Sequence, residues 1–403
     1  MKRRHFLQTT ALFPAAAASP QNVRNAVEFG NRFVLWQSAY GGADPVKCPY
    51  RTPGETATQI QGLGPPTRTL YKLYQATGAG LYKEAADRYA TFLMNTLRDP
   101  ETPYTNRFTV GGRSRHALSS AWMYGKALSP CFEWFSLTNP DEDAFQQKGY
   151  ALYRWLQRHR REDSYFGVGY PTGKYPDAQF SCDLGEVGTG LMGFYRITNH
   201  KPALDDATGL AKYFLTDYQD GSGRGIWSPK LGVWLVGPWP EGGAEHFTDQ
   251  RFNQTGWGWS ALVVGEFLLR LREQSQDSAL RAGIEDKCLK AFRWCFDKCQ
   301  FEDGAHGMFG RDDKWVGQGA AAILLYLSLK RQNLVPPDVE LEYRPKVDKS
   351  WRWMLENTGR DSYPADGYIR VTGLTSKKSP ENLMWMMAWT MEALLEGGKV
   401  FSA

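Results

Sequence analysis

Between residues 181 and 218 the apolar positions fall twice into helical spacing. Leu184, Val187, Leu191 and Tyr195 come first, the run Thr198-Asn199-His200-Lys201-Pro202 interrupts, and Leu204, Ala207, Ala211, Phe214 and Tyr218 resume the period. The pattern predicts two amphipathic helices joined by a tight turn, an αα-hairpin in which neither helix buries its stripe alone.

The same pattern recurs along the chain. Residues 67–97 turn at Thr77-Gly78-Ala79-Gly80, in the place Thr198-Asn199 holds in its own unit. Residues 116–159 turn at Thr138-Asn139-Pro140-Asp141, residues 256–298 break at Gln274-Ser275-Gln276-Asp277, and residues 315–355 break between Asn333 and Asp338. Single helices are predicted at the two ends, over 23–39 and 382–395. If these touch, they form a sixth hairpin and the ring closes, which predicts an all-α (α/α)6 toroid occupying residues 20–403 as one domain.

Loop lengths give the ring a polarity. Connections within hairpins are short, whereas 98–115, 160–181, 219–255, 299–314 and 356–381 are long and read as structureless. All would emerge at one end, where the first helix of each pair begins. Glycines crowd those first helices: Gly185, Gly188, Gly190 and Gly193 in one, Gly256, Gly258 and Gly265 in another, Gly317 and Gly319 in a third. Each costs about 1 kcal/mol in a helix interior relative to Ala. Close helix approach or room for a ligand offsets that cost, so the first helices are the inner ones. The main pocket is expected on the long-loop face and not on the opposite one.

That face collects the candidate chemistry. Asp183 and Glu186 stand three residues apart at the start of an inner helix, as caps or as an acid and its neighbour. Asp249 follows His246 at H-x-x-D spacing in the longest loop, and Asp312-Asp313 precede Trp315, where they can cap the helix that follows or face a substrate. Tyr170, Trp257, Trp259 and Trp315 offer rings on which sugars stack, and Arg113 and Arg251, with Arg107, His116 and Arg370, offer partners for a carboxylate.

Composition narrows the class. With 42% hydrophobic and 14% aromatic residues the chain can bury a large core. It begins Lys2-Arg3-Arg4-His5-Phe6-Leu7, a twin-arginine pattern, followed by a weakly apolar stretch and Ala15-Ala16-Ala17-Ala18-Ser19. The expectation is a signal peptide over residues 1–19, with export by the twin-arginine route to the periplasm or beyond. Three of the 48 basic residues lie in that leader, leaving 45 against 43 acidic. That balance argues against nucleic-acid binding, and no later apolar run has the length of a membrane span. Cys288, Cys295 and Cys299 share one face of a predicted helix and read as buried apolar residues rather than metal ligands. No metal or other cofactor is expected.

Four segments together resemble a known superfamily: Cys182-Asp183-Leu184-Gly185-Glu186, the turn Phe194-Tyr195-Arg196-Ile197-Thr198, His246-Phe247-Thr248-Asp249, and Gly256-Trp257-Gly258-Trp259-Ser260-Ala261-Leu262. They are similar to segments of the six-hairpin glycosidases, nearest to the unsaturated glucuronyl and rhamnogalacturonyl hydrolases. The resemblance implies that Asp183 is the general acid/base, and that the H-x-x-D loop and the glycine-tryptophan segment line a sugar subsite. Asn253 and Thr255 stand where that segment of the family carries Trp and Arg. The reading is a glycoside hydrolase on poly- or oligosaccharides, with an acidic sugar favoured by the loop-face arginines and with Asp249 or Asp313 as second carboxylate. The alternatives are a polysaccharide lyase using Tyr165 or Tyr170 as base and a non-catalytic glycan-binding protein. A sugar epimerase is disfavoured by a total of 6 His.

Overall fold

The computed structural model describes residues 21–41, 60–96, 106–110, 113–117, 143–157, 181–218, 225–235, 258–307, 314–358 and 384–401. Its elements in chain order are α1 (Gln21–Gly41), α2 (Ile60–Thr77), α3 (Gly80–Thr96), β1 (Asn106–Val110), β2 (Arg113–Ala117), α4 (Asp143–Gln157), α5 (Ser181–Thr198) and α6 (Lys201–Leu215). Then follow β3 (Trp227–Ser228), β4 (Val233–Trp234), α7 (Gly258–Gln274), α8 (Ser278–Lys298), α9 (Val316–Arg331), α10 (Pro337–Thr358) and α11 (Met384–Gly397).

The repeat seen in the sequence is physical at its turns. Thr77 Oγ1 donates to Leu73 O at 2.7 Å and accepts from Ala79 N at 3.2 Å. Thr198 Oγ1 donates to Phe194 O at 2.7 Å and accepts from His200 N at 3.3 Å. In each case the next residue is left-handed, Gly78 at φ +71° and Asn199 at φ +52°. Its N–H reaches back four residues, to Tyr74 O or Tyr195 O, at 2.7 Å. Glycine or asparagine is what such a helix end requires. The α7–α8 break is built differently: Asp277 caps α8 by accepting from Ala279 N and Leu280 N at 2.9 and 3.0 Å.

Among the described hairpins the first helix of the pair is inner, as its glycines indicated. A Cβ on Gly185 would meet Val263 and Val264, and one on Gly188 would meet the Phe267 ring at 2.5 Å, so α5 lies hard against α7. Gly265 faces Leu325 of α9, and Gly317 faces Met386 of α11. The inner neighbours run α5, α7, α9, α11, α2, with α11 between α9 and α2. The terminal helices touch: α1 packs on α11 and on the α2–α3 hairpin, burying Val23, Ala26, Phe29 and Phe33, while Tyr82 Oη in α3 donates to Asn31 Oδ1 at 2.7 Å. On the outside, α4 is held to the α5–α6 hairpin by the Tyr150 and Tyr153 rings, each within 5.4 Å of the Phe194 and His200 rings, and by Tyr153 Oη donating to Asp206 at 2.6 Å.

Parts of the long connections are structured. Residues 106–117, read as loop and the start of a helix at His116, form an antiparallel hairpin with Arg107 opposite His116 and Val110 opposite Arg113. Gly111-Gly112 between the strands is the turn signal that outweighs helix periodicity there. A second small hairpin pairs Trp227 with Trp234, whose indole donates to Phe214 O at 3.0 Å. Residues 299–307 fold back on α10. There Ser350 Oγ donates to Gly304 O and accepts from Gln300 Nε2, so its remaining lone pair takes the proton on His306 Nε2 at 2.8 Å. Burial keeps that imidazole neutral, pushing its pKa down to about 3.

Candidate active site

The ring has a lumen, and α7 shows its lining. Trp259, Leu262, Glu266, Leu269 and Glu273 recur every three or four residues on one face, with Arg270 beside Leu269. Glu266, halfway down, accepts from Arg68 Nη1 of α2 at 2.7 Å, although α2 and α7 are separated around the ring by α9 and α11. Arg68 also holds Glu392 of α11, and Lys72 and Arg270 add their charges to the two carboxylates. The pair Arg68–Glu392 is buried, with side chains 9% and 6% exposed. Burial alone would raise the Glu392 carboxyl, but Arg68 and Lys72 overcome it and hold it at about 2. This cross-ring cluster spans the ring at mid-height.

Above it, towards the helix N-termini, the rings of Trp259 and Trp389 meet with centroids 6.1 Å apart. Their helices, α7 and α11, both pack on α9, and the ring contact bridges the two across it. Below the charged cluster a cavity of about 220 Å³ opens at the short-turn end, rimmed by Arg196, Arg270, Glu273, Arg331 and Gln332. A cavity at this end was not expected from the loop lengths. Its basic rim has in part a local cause, because α5 and α9 end in Arg196 and Arg331, which satisfy the negative ends of their dipoles.

Of the residues singled out in the sequence, Asp183 is in the first turn of inner helix α5, Glu186 is buried one turn on, and Trp259 is buried at the head of α7. Trp315 is half-buried and is itself the N-cap of α9, its N–H donating to His306 O at 2.7 Å. No side chain caps α9 through Trp315, and the capping role read for Asp312-Asp313 falls on residues outside the described ones. Arg113 is at the start of β2. Tyr170, His246, Asp249, Arg251, Trp257 and Asp313, and the side chain of Asp183, lie outside the described residues.

Sequence reasoning missed Arg68, Glu392 and Trp389. The signal was present: Glu392 is the single charge in Met384–Leu395, and Arg68 is the single charge between Thr56 and Tyr71. A charge inside an apolar stripe needs a buried partner. Among the described residues no group of three His, Cys, Asp or Glu is arranged to hold a metal ion, and no helix is long and apolar enough to cross a membrane.

The sequence matches no protein-family model and no curated protein. Solved structures do share the fold. A possible member of glycoside hydrolase family 105 from Salmonella enterica serovar Paratyphi A is 12% identical, with a TM-score of 0.64 over 93% of each chain. A sugar epimerase from a ruminal bacterium is 10% identical, with a TM-score of 0.66 over 94% of this chain and 99% of that one. An inactive variant of an alpha-1,6-mannanase of Salegentibacter, in complex with alpha-1,6-mannotetrose, is 10% identical, with a TM-score of 0.64 over 93% and 99%. The fold is thus the all-α six-hairpin (α/α)6 toroid, as the hairpin count predicts.

Proposed function

We propose that this chain is an exported glycoside hydrolase whose site occupies the long-loop end of the lumen and takes a poly- or oligosaccharide, with a uronate-bearing glycan favoured. The observation that carries the reading is the placement of Asp183 in the first turn of an inner helix, at the end of the lumen where a buried aromatic layer, Trp259 against Trp389, lies above the charged cluster. A lumen crossed midway by charged side chains and aromatic on one side offers a sugar a stacking surface. Hydrolases in the same fold add support, although likeness at such identity speaks for the fold alone.

In this reading Asp183 acts as the acid that protonates the glycosidic oxygen. A second carboxylate, Asp249 or Asp313, activates water or attacks the anomeric carbon, their separation deciding between inversion and retention. His246, Arg251, Trp257, Trp315, Tyr170, Arg113 and Glu186 complete the subsite, and the arginines give the preference for a carboxylate. The leader Lys2–Ser19 sends the folded chain to the periplasm or beyond.

The test is a panel of uronate-containing and neutral glycans, read by new reducing ends and by ultraviolet absorbance. New reducing ends without a new double bond are expected. An absorbance rise from intact saturated polysaccharide would make the protein a lyase, and binding without turnover would make it a glycan-binding module.

A further inference from the structure

Buried polar atoms without a hydrogen-bond partner among the described residues occur on the outer helices, at Arg293, Glu340 and Trp351, and, on the inner ring, at one end. Ser181 Oγ begins α5, Ser260 Oγ is in the first turn of α7, Gln318 Nε2 is in the first turn of α9, and Trp315 Nε1 stands just before it. Among the described residues none lies at the short-turn end of an inner helix. Buried donors are normally paired, so a group of them at one end of a lumen points to a polar occupant.

Gln318 is the most constrained of these. It is 1% exposed, and its carboxamide oxygen accepts from Trp259 N at 3.0 Å. That N–H is in the first turn of α7 and has no partner within its own helix, so the acceptor must face it. The approach is close enough that a Cβ on Gly258 would meet Gln318 Oε1 at 3.0 Å. The orientation of the amide is therefore fixed by chemistry: Oε1 to Trp259, and Nε2, with two donors, away from it. Flanking Gly317 and Gly319 bring no side-chain acceptor to meet them.

We propose that Gln318 is a substrate-binding residue of the long-loop site: its Oε1 caps α7 through Trp259, and its Nε2 donates to a hydroxyl oxygen of a sugar seated beside the Trp259 ring. This rests on the glycosidase reading. A buried donor that waits for a hydroxyl discriminates strongly against ligands lacking one, because the alternative is an unmet donor. Gln318 is thereby a selector for hydroxyl position rather than for charge.

The test uses Gln318→Glu, which keeps an acceptor for Trp259 N–H and removes both donors, assayed on an unsaturated glucuronyl disaccharide, an unsaturated galacturonyl disaccharide and α-1,6-mannotetraose. On whichever glycan the wild type cleaves, the folded variant should raise KM by about 10–100-fold. An unchanged KM overturns the role of Gln318 and leaves the hydrolase reading standing. Failure of the wild type to bind or cleave any of the three overturns both. If Gln318→Glu does not fold, a crystal of the wild type soaked in D-glucuronate decides: a sugar hydroxyl within about 3.2 Å of Nε2 supports the assignment, and a protein oxygen in that place overturns it.

Discussion

Arg68 grips Glu392 through Nη2, at 3.0 and 2.8 Å to the two carboxylate oxygens, and through Nε at 3.2 Å. The pair joins the first inner helix to the last, 324 residues apart in sequence, and so fastens the ring where its ends meet. Lys72 supports the same carboxylate, and Glu266 takes the other side of Arg68.

Removing the charge from Glu392 leaves two cations over the buried position. Glu392→Gln should lower the unfolding free energy by about 3 kcal/mol, the low end for a broken buried pair because Glu266 still holds Arg68. Urea denaturation measures it. The pH dependence follows with its sign: the carboxyl is held at about 2 against an ordinary 4.5, so its stabilisation is complete above pH 4.5 and is lost as pH falls towards 2. The wild type should lose stability across that window more steeply than Glu392→Gln.

The inner glycines separate into two kinds. At Gly188 a Cβ would come within 2.5–2.7 Å of three Phe267 ring atoms, and that ring is fully buried. Gly188→Ala should therefore destabilise by about 1–3 kcal/mol in spite of the better helix former. At Gly265 only one Leu325 methyl stands in the way, the next atom being 3.9 Å off. A rotamer change removes that contact, so Gly265→Ala should be within about 0.5 kcal/mol of wild type. Parallel thermal melts distinguish the two.

Cys288, Cys295 and Cys299 are free and buried, and burial pushes the Cys295 thiol up to about 12 and the other two also upward. With so little thiolate, none of the three should react with a disulfide reagent in the native protein, while all three should react in guanidinium. The check is the stoichiometry of thiol release before and after unfolding.

The hairpins were legible because each helix carries its period in the sequence, and the turns because Gly78 and Asn199 take a conformation few residues tolerate. Asn106–Ala117 was misread for a different reason: five residues of strand are shorter than the window in which periodicity speaks, and Gly111-Gly112 was the better witness. The cross-ring cluster was invisible to spacing because Arg68 and Glu392 belong to opposite ends of the chain, and only closure of the ring brings them together. The role of Gln318 was hidden likewise, since its partner is the backbone of a neighbouring helix rather than a side chain at a fixed offset.

The central claim is that the long-loop end of the toroid cleaves a glycan with Asp183 as its acid, and the turnover of Asp183→Asn measures it most directly. Asn is as good as Asp at a helix start, so the melting temperature should hold, while loss of the proton donor should slow hydrolysis by about 10²–10⁴-fold on the glycan the wild type cleaves. A folded Asp183→Asn variant with wild-type turnover would contradict the account.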